Sequence, residues 1–202
     1  TTSTCSSTTG LAFTTSTGYA VLADFGKNHI ENVGKDGFVL KFGVTTPADI
    51  TGTQYLIATL AGEAGTSGWA VKLVSGVLYF GRGISTGPEW CNTGVTLSAS
   101  TKYEIRLQWV ATSTAVKLTV NGTLIAESGM TNGLTTAAWV DCTNKLYFGS
   151  DASGANNVKT GCVIHDKPEL YNYVMTDAQW TTWVNTCVAP TTGYGTMNVV
   201  SN

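Results

Sequence analysis

The sequence predicts an all-β protein, a sandwich or barrel that carries one short C-terminal helix, and three observations support this. Thr and Gly are in excess, with 34 and 23 of 202 residues, a balance that favours strands and tight turns over helices. Apolar residues alternate with polar ones in short runs broken by glycine-containing turns, as in a sandwich or barrel. A 3.6-residue apolar period occurs once, near the end. With 43% apolar residues, the length suits one domain, 1-202, with a substantial core.

The elements follow in order. Segment 37-45 alternates, with Phe38, Leu40, Phe42 and Val44 on one face. Segment 53-62 is apolar on both faces, as a strand buried between layers should be, and is expected to lie centrally. Trp69, Val71 and Leu73, the turn pair Ser75 and Gly76, and then 77-80 read as a hairpin. In 102-110, Tyr103, Ile105, Leu107 and Trp109 share one face and Lys102, Glu104, Arg106 and Gln108 the other, which is expected to be wet. Trp69 and Trp109, inside strands, are expected in the core. Val116, Leu118 and Val120 lead to Asn121-Gly122 and then Leu124 and Ala126, a strong hairpin signal because both turn residues tolerate positive φ. The same Asn121-Gly122-Thr123 fits a glycosylation sequon, but turn chemistry explains it. Residues 146-149 and 161-173 supply the last strands.

The helix spans 177-188. Thr176 as N-cap and Gln179 at N3 form a capping box, and Met175 with Trp180 a hydrophobic staple. Trp180, Trp183, Val184 and Cys187 then recur at i, i+3, i+4 and i+7, so one stripe packs onto the sandwich. Pro190 stops the helix. Residues 1-36 form extra N-terminal strands or an arm, and 189-202 a tail.

Charge excludes whole classes of function. Asp, Glu, Lys and Arg make up 12%, net charge is -2, and the only arginines are Arg82 and Arg106, so the basic stripe that nucleic acid requires is missing. No apolar run is long enough for a transmembrane helix, and the polar start is no secretory signal. The chain begins without Met, as a processed mature form or an excised piece would.

Cys5, Cys91, Cys142, Cys162 and Cys187 are spread along the chain with no C-x-x-C pair, which argues against zinc or a redox centre. The spread suits an oxidising compartment in which two bridges join distant segments, and Cys5 with Cys187, near the two ends, is the leading pair. The alternative is a set of buried thiols in a reduced protein.

Leu-Tyr-Phe-Gly at 146-149, Gly161, the run from Tyr171 to Gln179 that leads into the closing helix, and Lys-Tyr-Glu-Ile-Arg-Leu-Gln-Trp at 102-109 followed by a strand ending in Val120-Asn121-Gly122 carry a likeness in their order and spacing. Together they resemble the laminin-G-like branch of the concanavalin A-like lectin/glucanase superfamily. The resemblance covers about residues 37 to 187 and implies a jelly-roll β-sandwich. One departure is His165-Asp166-Lys167-Pro168, about two residues longer than the usual pattern, where Pro implies a bulge or edge position.

The superfamily includes glucanases and lyases, so catalysis has to be tested. Glycoside hydrolysis needs two carboxylates close together, and the glucanase spacing on one strand does not occur here. Asp166 and Glu169, three apart, fall on opposite faces of a strand and read as ordinary exposed carboxylates. His29 and His165 form no nucleophile triad or His-rich metal site, and Gly81-Arg82-Gly83 lacks the Lys-Ser/Thr ending of a phosphate loop. The expectation is therefore no enzyme, with a glycan-cleaving activity as the weakest alternative.

Binding is what remains. Trp90 lies in the turn-rich stretch Gly87 to Asn92, and Trp139 in 138-142. An aromatic face on a loop stacks against a sugar ring while neighbours such as Asn92 and Asp141 meet its hydroxyls. The alternative is that both indoles pack beneath their loops. Asp151, Asn156 and Asn157 place oxygen ligands in one Gly-containing loop, where calcium could sit as in some laminin-G-like domains; an ion-free polar loop is the alternative, and no other cofactor is expected. The expectation is therefore a non-catalytic binding module, extracellular, secreted or on a virion surface, and the resemblance implies glycan or another cell-surface ligand as what it recognises. The alternative is a structural or decoration subunit of a capsid, tail fibre or surface filament that self-associates or packs on a larger assembly.

Overall fold

The computed structural model describes residues 3-6, 10-22, 37-110, 114, 116-138, 140, 142-171, 173-186 and 196-198; the side chains of 3-6, 132, 166, 167, 186 and 196-198 lie outside that description. The strands are β1 (Ser3–Ser6), β2 (Gly10–Phe13), β3 (Ala20–Val21), β4 (Gly37–Thr45) and β5 (Thr53–Ala58), then β6 (Trp69–Val74), β7 (Val77–Ile84), β8 (Gly87–Thr96), β9 (Lys102–Val110) and β10 (Val116–Val120), and finally β11 (Thr123–Ile125), β12 (Thr131–Asn132), β13 (Tyr147–Phe148), β14 (Val163–Tyr171) and β15 (Thr196–Asn198). The helix is α1 (Asp177–Thr186).

These strands form two antiparallel sheets. The first has the order β1-β2-β14-β4-β9-β10-β11, with β15 also on β14, and the second the order β12-β8-β7-β6-β5-β13-β3. The two-residue side-chain period turns one face of each sheet inward. Phe38, Leu40, Phe42, Ile105, Leu107 and Trp109 of the first sheet meet Leu56, Trp69, Val71, Phe80, Cys91 and Phe148 of the second in one buried cluster. At its centre the Phe38 ring lies 5.0 Å from Trp69, 5.9 Å from Phe80 and 6.2 Å from Trp109. Each such side chain contributes about 1.5–3 kcal/mol by leaving water.

The turns form where their residues permit. Asn121 and Gly122, at φ 50° and 77°, join β10 to β11, and Ser75 and Gly76, at 48° and 81°, join β6 to β7, as two-residue hairpin turns require. The pairing of β14 with β4 shifts register between His165 and Glu169, so the bulge predicted around Pro168 is present.

Half of the wet face expected on 102-110 is covered, whereas Lys102 and Glu104 stay open to solvent. Arg106 and Gln108 are each 2% exposed because α1 lies over them. Arg106 Nη1 donates to the Trp183 carbonyl at 2.7 Å, and the Gln108 amide exchanges bonds of 2.8 and 3.0 Å with the main chain of Met175. Trp180 and Trp183 fill a second apolar cluster with Val39, Tyr171 and Met175. The predicted capping box is formed: Thr176 N–H donates to Gln179 Oε1 at 2.9 Å, and Gln179 N–H to Thr176 Oγ1 at 3.3 Å. Within this strand alone the long polar side chains of Arg106 and Gln108 have no partners; the chain segment from Met175 to Trp183 supplies them.

Three further expectations are corrected. Segment 53-62 is buried on both faces from Gln54 to Leu60 as expected, but its strand ends at Ala58, and Gly62 to Ala64 make a 3-10 turn. The stretch 87-92, read as a loop, is the first part of β8 and pairs with β7 throughout; its Gly and Pro signalled a turn, but cross-strand pairing dominates. Cys91 and Cys162, read as bridge candidates, are buried free thiols, because each sulfur packs in the apolar core. Cys142 is buried, and a Cys5–Cys187 bridge lies outside the described side chains.

Candidate functional site

The outward face of the second sheet carries a cluster of aromatic and charged side chains. Pairing in register places Tyr55 beside Lys72, Lys72 beside Tyr79, and Tyr79 beside Asn92. The next row runs Ala58, Ala70, Gly81 and Trp90. Both rows point away from the core because their neighbours Val71, Phe80 and Cys91 point into it.

Small residues in the second row let Trp90 lie down across the sheet. A Cβ at Gly81 would stand 2.1 Å from Trp90 Cε3 and 2.3 Å from Cζ3, so the indole occupies the space that any other residue would fill. Lys72 Nζ lies 3.4 Å from the centroid of the Trp90 ring, and 5.6 and 5.7 Å from those of Tyr55 and Tyr79. Lys72 is 4% exposed and Tyr55 is fully buried, whereas Trp90 is half-buried, so the indole covers them.

The charge of Lys72 is balanced from above. Glu63, on the 3-10 turn after β5, forms an ion pair with Lys72 and accepts a 2.8 Å hydrogen bond from Tyr55 Oη. Its side chain keeps 52% of its surface exposed while that of Lys72 keeps 5%. Burial lowers the Lys72 ammonium below its ordinary value, and Glu63 opposes that shift. Burial, then the bond to Glu63, pushes the Tyr55 phenol far up, which keeps it neutral.

A second loop holds this turn in place. Ala152 N–H donates to the Leu60 carbonyl at 2.9 Å and Tyr55 N–H to the Asn156 carbonyl at 2.9 Å. Asp151, 1% exposed, accepts at Oδ1 from Ser153 N–H (2.8 Å), the Ser153 hydroxyl (2.5 Å) and Ala155 N–H (3.0 Å), and at Oδ2 from Asn156 Nδ2 (2.7 Å). The three residues considered for calcium thus share one loop, but Asn156 turns its amide nitrogen to Asp151, while Asn157 Nδ2 is buried with no hydrogen-bond partner.

Of the four residues predicted to bind ligand, Trp90 and Asn92 lie on this face, while Trp139 and Asp141 lie outside the described residues. Asn92 Nδ2 donates to Tyr79 Oη at 2.9 Å, and its Oδ1 accepts from Gly94 N–H. Lys72, Tyr79, Tyr55 and Glu63 were not singled out in sequence. The period of 69-74 and 77-80 already places Lys72 and Tyr79 opposite the core side chains, whereas the fold-back of Glu63 has no local signal.

Other charged residues are engaged elsewhere. Arg82, on the core side of β7 and fully buried, donates through Nε (3.1 Å) and Nη2 (3.0 Å) to Glu89. Burial would raise the Glu89 carboxyl, but the bonds from Thr135 and Arg82 outweigh it and hold it low. Glu169 meets Lys41 at 3.3 Å and accepts from Tyr171 Oη. Among the described residues, no three His, Cys, Asp or Glu side chains are grouped to hold a metal ion.

No protein-family model matches the chain, and no curated protein matches its sequence. Solved structures do match. The mouse laminin alpha1 chain domains LG4-5 superpose with a TM-score of 0.57 at 15% identity, over 84% of this chain and 43% of that one. The fold is the laminin-G-like jelly roll. Botulinum neurotoxin type C, whose cell entry depends on interaction with two ganglioside molecules, superposes at 0.53 with 11% identity, over 78% of this chain and 37% of that one. The Trypanosoma rangeli sialidase, solved with 2,3-difluorosialic acid, superposes at 0.57 with 21% identity, over 87% of this chain and 27% of that one. The chain thus spans well under half the length of each of these proteins.

Proposed function

We propose that the protein is a non-catalytic carbohydrate-binding module, acting outside the cell or on a virion surface, and that Trp90 is its stacking platform. The observation that supports this is the posture of the indole, laid across Gly81 with Lys72 buried beneath it. An indole held on one side by a cation and a glycine backbone is rigid, so stacking a sugar on its other side costs little side-chain entropy. Tyr79 and Asn92, hydrogen-bonded to each other, and the exposed edge of Glu63 supply polar groups beside it. Such a surface, aromatic with few fixed polar atoms, is the composition of small-ligand sites.

Binding rather than cleavage is favoured by how the carboxylates are used. Glu63 is tied to Lys72 and Tyr55, and Asp151 accepts four hydrogen bonds from its own loop, which leaves no freely placed acid and base pair on this face among the described residues. The jelly roll shared with ganglioside-dependent and sialic acid-associated proteins is compatible with the reading. The test is a glycan array probed with wild type, Trp90→Phe and Trp90→Ala. Wild-type binding that falls modestly in the Phe variant and at least about tenfold in the Ala variant, equivalent to about 1.4 kcal/mol, supports the reading. Binding unchanged in Trp90→Ala contradicts it.

A further inference from the structure

We infer that this face selects neutral sugars and discriminates against sialylated or uronate-bearing glycans, an inference that rests on the binding reading above. Acidic sugars are gripped by accessible cations, above all by the paired donors of a guanidinium. The chain has only two arginines, Arg82 and Arg106, and they are 0% and 2% exposed. Arg82 points into the core and is held by Glu89, while Arg106 lies on the other sheet and donates to Trp183 under the helix. Neither reaches the Trp90 face.

Among the described residues, the lysine on this face is equally withdrawn. Lys72 lies beneath the indole, 4% exposed, whereas its ion-pair partner Glu63 keeps half of its side chain in water. The exposed Lys145 precedes β13, which stands four strands away from β8 in the second sheet, or about 19 Å at the usual strand spacing. Among the described residues, the charged group that reaches solvent beside Trp90 is the Glu63 carboxylate, half-exposed. A carboxylate at the rim accepts hydrogen bonds from neutral sugar hydroxyls and repels a second carboxylate. The shared fold with a sialidase solved with a sialic acid derivative therefore does not carry its ligand's charge to this face.

The experiment is a set of solution titrations of the full chain with matched oligosaccharides that differ only in a terminal sialic acid or uronate, repeated with Glu63→Gln and at about 50 and 500 mM salt, which spans Debye lengths of roughly 14 to 4 Å. The expected result is neutral binding that changes less than about twofold with salt, acidic analogues at least about tenfold weaker, and a narrowed gap in Glu63→Gln. Acidic analogues that bind as tightly as the neutral ones, or more tightly, through a Trp90-dependent site would overturn the inference and leave the binding reading standing. If neither series binds, or Trp90→Ala changes nothing, the binding reading itself fails and the inference falls with it. Melting curves of both variants separate loss of fold from loss of binding.

Discussion

Lys72 Nζ sits 3.4 Å from the centroid of the Trp90 indole and is shielded from water by it. The ion pair that this lysine makes with Glu63 is asymmetric, with a side chain 5% exposed on Lys72 and 52% on Glu63. Removing either member therefore has different consequences. Lys72→Met leaves a carboxylate that water can solvate and fills the same space with apolar atoms, so stability should change by less than about 1 kcal/mol or rise. Glu63→Gln strands a buried ammonium and should cost about 1–2 kcal/mol, less than a fully buried pair because half of Glu63 is already in water. Denaturant titration of both variants checks the order, and a larger loss in Lys72→Met would contradict it.

Gly81 is the position that lets Trp90 lie flat. A methyl there would meet the ring at 2.1 Å, and an indole anchored by its neighbours has no cheap escape. Gly81→Ala should destabilise the protein by about 1–3 kcal/mol, the usual cost of overpacking, and should reduce glycan binding as strongly as Trp90→Ala. Wild-type affinity in this variant would show that the flat posture is unnecessary.

Stability should fall in mild alkali. Burial pushes the Cys91 thiol up to about 11 and the Cys162 thiol up to about 12, from ordinary values of 9.0. The folded state keeps these protons while the unfolded chain releases them, so the stabilisation is complete below about pH 9 and is lost progressively toward 11 to 12. Melting temperatures between pH 7.5 and 10 should decline, and Cys162→Ala should flatten that slope relative to its own neutral value. An unchanged slope would show that the thiol is accessible in the native state.

The Asp151 loop makes a prediction about ions. Its carboxylate is engaged by four donors of its own loop, so calcium or a chelator should move the melting temperature by less than about 2 °C, under about 1 kcal/mol for a chain of this size. Asp151→Ala should instead cost about 1–3 kcal/mol through stranded donors and loosen the turn that carries Glu63. A calcium-dependent rise of several degrees would assign the loop a cation.

The parts of the fold legible in the sequence were those set by local rules. Asn121-Gly122 dictates its turn through positive φ, Thr176 and Gln179 cap the helix across three residues, and alternation places Trp69 and Trp109 in the core. What could not be read depends on contacts distant in the chain. Arg106 and Gln108 look like a solvated face until α1, some 70 residues later, covers them. The same holds for the site: Trp90 and Asn92 were recognisable as candidates, but Gly87 and Pro88 disguised their strand. Lys72 beneath the indole and Glu63 above it are brought together only by sheet pairing and the fold-back after Ala58.

The most direct test of the central claim is a crystal structure of the protein with a neutral oligosaccharide identified on the array. We expect a sugar ring stacked on the Trp90 indole at about 3.5–4.0 Å, the ordinary van der Waals separation, on the side opposite Lys72, with hydroxyls bonded to Glu63 or Asn92. A sugar bound elsewhere on the sandwich, with Trp90 untouched, would contradict the account.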